Sequence, residues 1–379
     1  MSRPVSLLFY YFIFFSASFF AAWIAAVDIR EEKTYLVRLG GGRLRIRYAQ
    51  LLKWLCLLAV PVLAASFRYG IGTDYPTYSL IYDAIADADI SGMAVFSRPT
   101  ELLSNLLYKL ADRVFHDFHG WLFFTSLITI LGACVAIQKY RDSSDVFLMT
   151  FSFFSLLYSP SYNIVRQIMA GSIVFLGLRY ITERKPVKYY LTILTAFFLH
   201  TSAVFTAFFY FLNVKKGKYA KFKLLALFAA CAAIPLVFSR VFAVFTSLSA
   251  FQSYGTVYSS RYGFLHVSDI LFRLPLAAVI LFFRRPLERN DDDCRFYELL
   301  FFMEFVSLFI TAYNKWLYRM LYYCVPGEIV LVSRLPKCFD RKSRLFIRLG
   351  IVVYYILFFY VNNYYRGVDE IFPYISIFN

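Results

Sequence analysis

The apolar residues of this chain gather in long continuous runs, and the charged residues gather between them. Most runs measure about 17–23 residues, the length that crosses a bilayer as a helix. Ten segments read as full spans, at about 5–27, 51–67, 121–137, 146–160, 164–181, 224–239, 269–283, 296–313, 317–333 and 345–362. A membrane β-barrel would alternate apolar and polar positions with a period of two, and this pattern does not. The first run is too long for the apolar part of a signal peptide and leads directly into the basic stretch 30–47, so it reads as a retained anchor.

Two further segments do not read as simple crossings. Residues 98–115 are amphipathic, with Glu101, Lys109 and Arg113 among leucines, and read as an external or re-entrant helix. Residues 189–212 are apolar enough to cross, yet Arg184-Lys185 before them and Lys215-Lys216 after them both favour the cytoplasm. Two half-helices broken at His200 resolve the conflict, with Thr201 or Ser202 expected to cap the second. Broken helices at membrane depth occur where they pack inside protein or line a wet cavity. The expected architecture is therefore all-α and polytopic: one transmembrane domain over 1–379, with about ten spans, a broken pair and an external amphipathic helix.

Composition agrees. The 379 residues are 60% hydrophobic and only 17% charged, too few charges to cover a soluble core. The net charge of +16 would suggest nucleic acid in a soluble protein. Here the connections around 28–50, 138–145, 179–190, 213–223, 284–295 and 334–348 hold nearly all of the Lys and Arg. Placing them in the cytoplasm puts both termini outside, leaves 68–120 and 240–268 as the longest external stretches, and implies no nucleic-acid partner. The six cysteines show no CxxC spacing, so neither a disulfide framework nor a zinc site is expected.

Polar residues collect at three external positions. Arg68 to Tyr78 carries two glycines, Asp74 and three tyrosines just after the second span; an interfacial aromatic belt with a surface ion pair would look the same. Asn163, Arg166 and Gln167 open the fifth span ahead of Ala170-Gly171-Ser172. An arginine there must snorkel or find a partner. Arg319, Tyr322 and Tyr323 share a helical face at i, i+3 and i+4. Glu304 and Arg273 are further charges within spans, able to pair with each other or with Arg319.

Arg68, Arg98, Arg166, Arg261 and Arg319 thus lie in one outer layer, where the positive-inside rule disfavours arginine. A planar guanidinium fork grips phosphate or carboxylate bidentately, and a lipid-borne diphosphate sits at this depth. Tyr162, Tyr254, Tyr258 and Tyr262 in the same layer suit sugar rings or a belt. His116 and His119 stand at i, i+3 without an evident third ligand, and Asp291-Asp292-Asp293 sits among arginines in a cytoplasmic loop, so no metal is expected. No P-loop, GxGxxG or GxSxG stands in a suitable context, so no nucleotide cofactor is expected either.

The order Arg68-x-x-Gly-x-Asp74-x-x-x-Tyr78, Glu101, Asn163-x-x-Arg166-Gln167-x-x-Ala170, Phe198-Leu-His200-x-Ser202-Ala203 and Arg319-x-x-Tyr322-Tyr323 resembles the EpsG family of Wzy-like polymerases of bacterial exopolysaccharide and capsule synthesis. It covers about residues 65–330. The resemblance implies a GT-C-like helical fold in the bacterial cytoplasmic membrane, with its cavity open to the exterior. It also implies a glycosyl transfer without metal or cofactor. The glycan on one undecaprenyl diphosphate would pass to a sugar hydroxyl on another, beside membrane lipid, a flippase and a chain-length regulator. In that frame Arg166 and Arg319, then Arg68 and Arg261, would bind the diphosphate, and Asp74, Glu101 or His200 would be the base. Tyr78, Asn163, Gln167, Tyr322 and Tyr323 would contact substrate. A lipid-linked oligosaccharide flippase, another kind of transporter or a glycan ligase would draw on the same arginines, although no internal repeat of the transporter kind is visible.

Overall fold

The computed structural model describes residues 1–26, 35–39, 42–46, 48–86, 101–213, 267–310, 319 and 321–378. The expected span at 224–239 and the external stretch around Arg261, Tyr254, Tyr258 and Tyr262 lie outside the described residues, as does Arg98.

Among the described residues, the apolar runs become helices. Three of them, Arg3–Ala26, Phe118–Gln138 and Arg341–Tyr365, are long and apolar enough to cross a membrane, and Gln50–Ser66, Val146–Tyr158, Pro186–Leu199 and Thr201–Leu212 are shorter apolar helices. The first helix shows how such a segment is used. Tyr10, Ile13, Phe14, Ala17 and Ala21 recur at helical spacing and are buried, while Leu8, Phe12, Phe15 and Phe19 project from the other side. A helix that is apolar all round buries one stripe in protein and offers the other to lipid. Its buried stripe meets Tyr158 and Phe359, edge to face.

Starts and stops follow local chemistry. Asp117 accepts a hydrogen bond from the His119 N–H at 2.6 Å and caps Phe118–Gln138. Asp145 does the same for Val146–Phe153 and Asp340 for Arg341–Phe359. The amphipathic helix Leu102–Phe115 lies on its neighbours with Ser104, Asn105, Tyr108 and Ala111 buried. The apolar segment after Pro186 breaks where expected: Pro186–Leu199 is α-helical, His200 is extended (φ −155°, ψ 121°), and Thr201–Leu212 continues as a 3-10 helix. One expectation fails. Neither Thr201 nor Ser202 caps the second half, because both hydroxyls are turned to other partners, Glu101 and Tyr323.

The described residues are mainly helical, as expected, and the basic connection after the first helix adds a short antiparallel hairpin, Tyr35–Leu39 paired with Gly42–Ile46. The expected continuous span at 317–333 appears, among described residues, as a short 3-10 turn at Leu321–Tyr323 followed by the helix Val325–Arg334.

Both termini meet at one end of the bundle. The Met1 amine donates to the Tyr374 carbonyl at 3.3 Å, and the Tyr10 hydroxyl donates to the Ile371 carbonyl. Residues 366–378 fold back there as a strap, laced to the chain after the second span by Tyr69 N–H to the Ile375 carbonyl and Ile377 N–H to the Phe67 carbonyl, both 3.0 Å. Inside the bundle, Arg273 pairs with Glu304 at 2.8 Å, one of the two pairings its position allowed. It also stands 3.5 Å from Glu328, which accepts from the Tyr355 hydroxyl. At the opposite end, Arg334 binds Asp291 at 2.9 Å and Ser144 at 3.1 Å, which gives one member of the acidic triplet a structural role.

Candidate functional site

The site is assembled at the strap end of the bundle. Ser66 ends the second helix, and the chain turns through Gly70 and Gly72, both at positive φ (63° and 97°). The turn brings the Thr73 N–H to 2.7 Å from the Asn163 side-chain oxygen. A Cβ on Gly72 would stand 2.7 Å from that same oxygen, so the approach depends on glycine. Asp74 then opens the helix Tyr75–Ala86: its carbonyl accepts the Tyr78 N–H at 3.1 Å, and its partly exposed carboxylate accepts from the Thr73 hydroxyl at 3.4 Å.

Glu101 is the hub. It precedes the amphipathic helix and is fully buried. Its Oε2 lies 2.6 Å from Arg166 Nη1, and its Oε1 lies 2.7 Å from His200 Nδ1. The Thr201 N–H and hydroxyl also reach Oε1, at 3.3 and 3.4 Å. One carboxylate therefore ties together the amphipathic helix, the start of Val165–Thr182 and the break at His200. The break matters because an extended residue between two helices turns its ring toward Glu101 and leaves the Thr201 N–H unclaimed by a helix. Arg166 lies over the Tyr78 ring at 5.6 Å, and Tyr78 packs on Trp121, which is stacked with Tyr108 at 4.5 Å. The side chains of Arg166 and His200 each keep 14% exposure, an opening onto solvent that Glu101 lacks.

Arg319 joins from the third motif. Its carbonyl accepts from the Gln167 side-chain amide, and its guanidinium is near enough to act electrostatically on both Tyr78 and Asp369. The buried Tyr323 hydroxyl bonds Ser202 at 2.9 Å, directly after the break, with Tyr322 half-buried beside it. Glu101, Arg166, Gln167, His200, Arg319, Tyr323 and Tyr78 are thus brought together, with Asn163 and Asp74 at the edge.

Arg68 is used differently from the expectation. It is 2% exposed; its guanidinium donates to the Ala65 carbonyl at 2.7 Å and the Tyr162 carbonyl at 3.3 Å and lies over the Tyr162 ring at 4.3 Å. Those contacts occupy its fork in holding the turn. Arg261 lies outside the described residues. His119 is engaged by Asp117 at 2.7 Å and by the Tyr75 hydroxyl at 3.3 Å.

One site residue was missed by sequence reasoning. Asp369, on the strap, accepts from the Asn163 amide at 2.9 Å and from the Ser159 hydroxyl at 2.6 Å. Burial pushes its carboxyl above the usual aspartate range. The signal was an acidic pair, Asp369-Glu370, just beyond the last span, but it lies outside the ordered motifs.

The profile of the EpsG family matches residues 51–376, nearly the whole chain. No curated protein and no solved structure matches the chain.

Proposed function

The chain belongs to the EpsG family, a Wzy-like polymerase family, and from that premise we propose that it joins lipid-linked glycan repeat units at the exterior face of the cytoplasmic membrane. The donor is the growing glycan on undecaprenyl diphosphate, and the acceptor is a sugar hydroxyl of a second lipid-linked unit. The observation that carries the reading is Glu101 held between Arg166 and His200, at 2.6 and 2.7 Å.

This arrangement meets the demands of the reaction. The acceptor oxygen bonds to the anomeric carbon of the donor as the bond from that carbon to the diphosphate oxygen breaks. The hydroxyl proton needs a base, and the diphosphate leaves with an added negative charge. His200 suits the first task. With its proton on Nδ1, 2.7 Å from the Glu101 carboxylate, the imidazole would accept at Nε2, and the carboxylate would stabilise the imidazolium that forms. Glu101 has both oxygens engaged and acts as the orienting group, and Asp74 is the candidate base at the more exposed edge. Arg166 and Arg319 suit the second task, as cations set in place before charge develops, with no metal required of them. Tyr78, Asn163, Gln167, Tyr322 and Tyr323 are the polar and aromatic residues of the cluster that this reading assigns to the sugar rings.

The test is genetic and chemical. His200→Gln, Arg166→Ala and Arg319→Ala proteins, expressed at normal levels in a strain lacking the native copy, are expected to make no long polymer and to leave single lipid-linked units exposed outside. Full-length polymer from both arginine variants would overturn the diphosphate assignment. Single units accumulating inside would favour the flippase, and an unlinked polymer of normal length would favour the ligase.

A further inference from the structure

A cavity of about 360 Å³ lies beside the strap, lined by Arg3, Ile71, Asn363, Glu370, Phe372 and Ile375 among others. Its size falls at the lower end of small-molecule sites, about 300–1,000 Å³. It is separate from the Glu101 cluster but adjoins it along the chain on two sides. Gly70 and Ile71 precede Gly72, which abuts Asn163, and Glu370 follows Asp369, which binds Asn163.

The lining suits one class of ligand. Arg3 supplies a cation, Glu370 a carboxylate and Asn363 an amide, while Ile71, Phe372, Pro373 and Ile375 supply apolar faces. An anion would meet Glu370 and a cation would meet Arg3. An apolar guest would desolvate both charges without replacing their hydrogen bonds, an unfavourable exchange. A neutral polyhydroxylated ring satisfies all of them, since its hydroxyls donate to carboxylate and amide oxygens, accept from guanidinium and amide N–H groups, and its C–H faces pack on Phe372 and Pro373.

The walls are set in advance. Glu370 sits at φ 51°, a left-handed conformation rare for a side-chain-bearing residue, next to Gly367 at φ 66°. Arg3 is held by the Tyr364 carbonyl at 2.6 Å and lies over the Tyr364 ring at 5.1 Å. Asn363 accepts from the Ser159 hydroxyl at 2.6 Å, the same hydroxyl that reaches Asp369. The strap hydrogen bonds to residues 67–69 fix the remaining side.

We propose that this cavity is a glycan subsite that holds a sugar ring of the lipid-linked chain away from the reacting centre. The proposal rests on the polymerase reading for the source of the sugar, while the site itself is read from the lining. A subsite remote from the reacting bond uses binding energy to position the part that reacts.

The test uses full-length protein in lipid nanodiscs and oligosaccharides made by partial acid hydrolysis of the polysaccharide exported by the producing cell, with binding followed by saturation-transfer NMR. The wild-type protein is expected to bind them. Glu370→Ala, and Ile375→Trp, which fills the cavity from its exposed rim, are expected to weaken binding at least ten-fold while melting with the wild type. Equal binding by wild-type, Glu370→Ala and Ile375→Trp proteins overturns the subsite. So does no binding by the wild type. If cells lacking the protein still make full-length polymer, the polymerase reading fails whatever the binding arm reports.

Discussion

The buried carboxylate of Glu101 stands 2.6 Å from Arg166 Nη1 through one oxygen and 2.7 Å from His200 Nδ1 through the other. The contact makes the arginine and the histidine depend on each other. Glu101→Gln keeps the shape and removes the charge. The expected result is a fall in polymer-forming activity of about 10²–10⁴-fold, the usual worth of an oriented base. Arg166 would also lose its counter-charge. Breaking a fully buried pair costs about 3–5 kcal/mol, and the 14% exposure of Arg166 argues for the low end. The double variant Glu101→Gln/Arg166→Gln should melt above the sum of the two singles. Strict additivity in thermal unfolding would show that the pair is not coupled.

The two glycines of the turn separate strain from contact. Gly70 and Gly72 both have positive φ, but an added Cβ meets nothing within 4 Å at Gly70 and meets the Asn163 oxygen at 2.7 Å at Gly72. Gly70→Ala is expected to cost about 1 kcal/mol, the left-handed penalty alone. Gly72→Ala adds displacement of Asn163 and should cost about 2–3 kcal/mol in total. Equal shifts in melting temperature would mean that the Gly72–Asn163 approach does not constrain the turn.

Arg273 is shared by two carboxylates, Glu304 and Glu328, all of them buried within the bundle. Arg273→Met strands both acids and should destabilise the protein by about 3–5 kcal/mol. The triple variant Arg273→Met/Glu304→Leu/Glu328→Leu should recover most of that loss, because apolar residues of similar volume carry no desolvation penalty. Detergent-solubilised thermal unfolding reads both. A triple variant as unstable as the single would show that these charges specify the packing rather than merely balance one another.

Asp369 gives a pH dependence with a defined sign. Its carboxyl is pushed up by burial, so the fold favours the protonated form more than the unfolded chain does. The linked stability is complete below the unfolded aspartate value of about 3.9 and is lost as pH rises through the folded value. Asp369→Asn should flatten that slope in melting temperature against pH. Asp369→Ala should cost about 1–3 kcal/mol by taking the side-chain acceptor from the Asn163 amide, while the Ser159 hydroxyl keeps Asn363. An unchanged slope in Asp369→Asn would assign the dependence to another group.

The sequence by itself determined the helical membrane character, the break at His200 and the motif residues from Arg68 to Tyr323. Each of these rests on local physics. An apolar run of bilayer length can satisfy its backbone only as helix, and a run flanked by basic residues on both sides must turn back. Motif residues such as Glu101 and Arg166 stood out because charge is rare in such a chain. The tertiary structure alone decided which of them meet. Glu101 and His200 are 99 residues apart in the chain, Gln167 and Arg319 are 152, and nothing in their spacing tells an orienting carboxylate from a base. It also gave Arg68 to backbone carbonyls instead of the open site, turned Thr201 and Ser202 from caps into cross-links, and brought in Asp369. The physical reason is the same in each case. A polar side chain buried among helices must find its hydrogen-bond partner in three dimensions, and the partner is set by how helices pack rather than by neighbours in the chain.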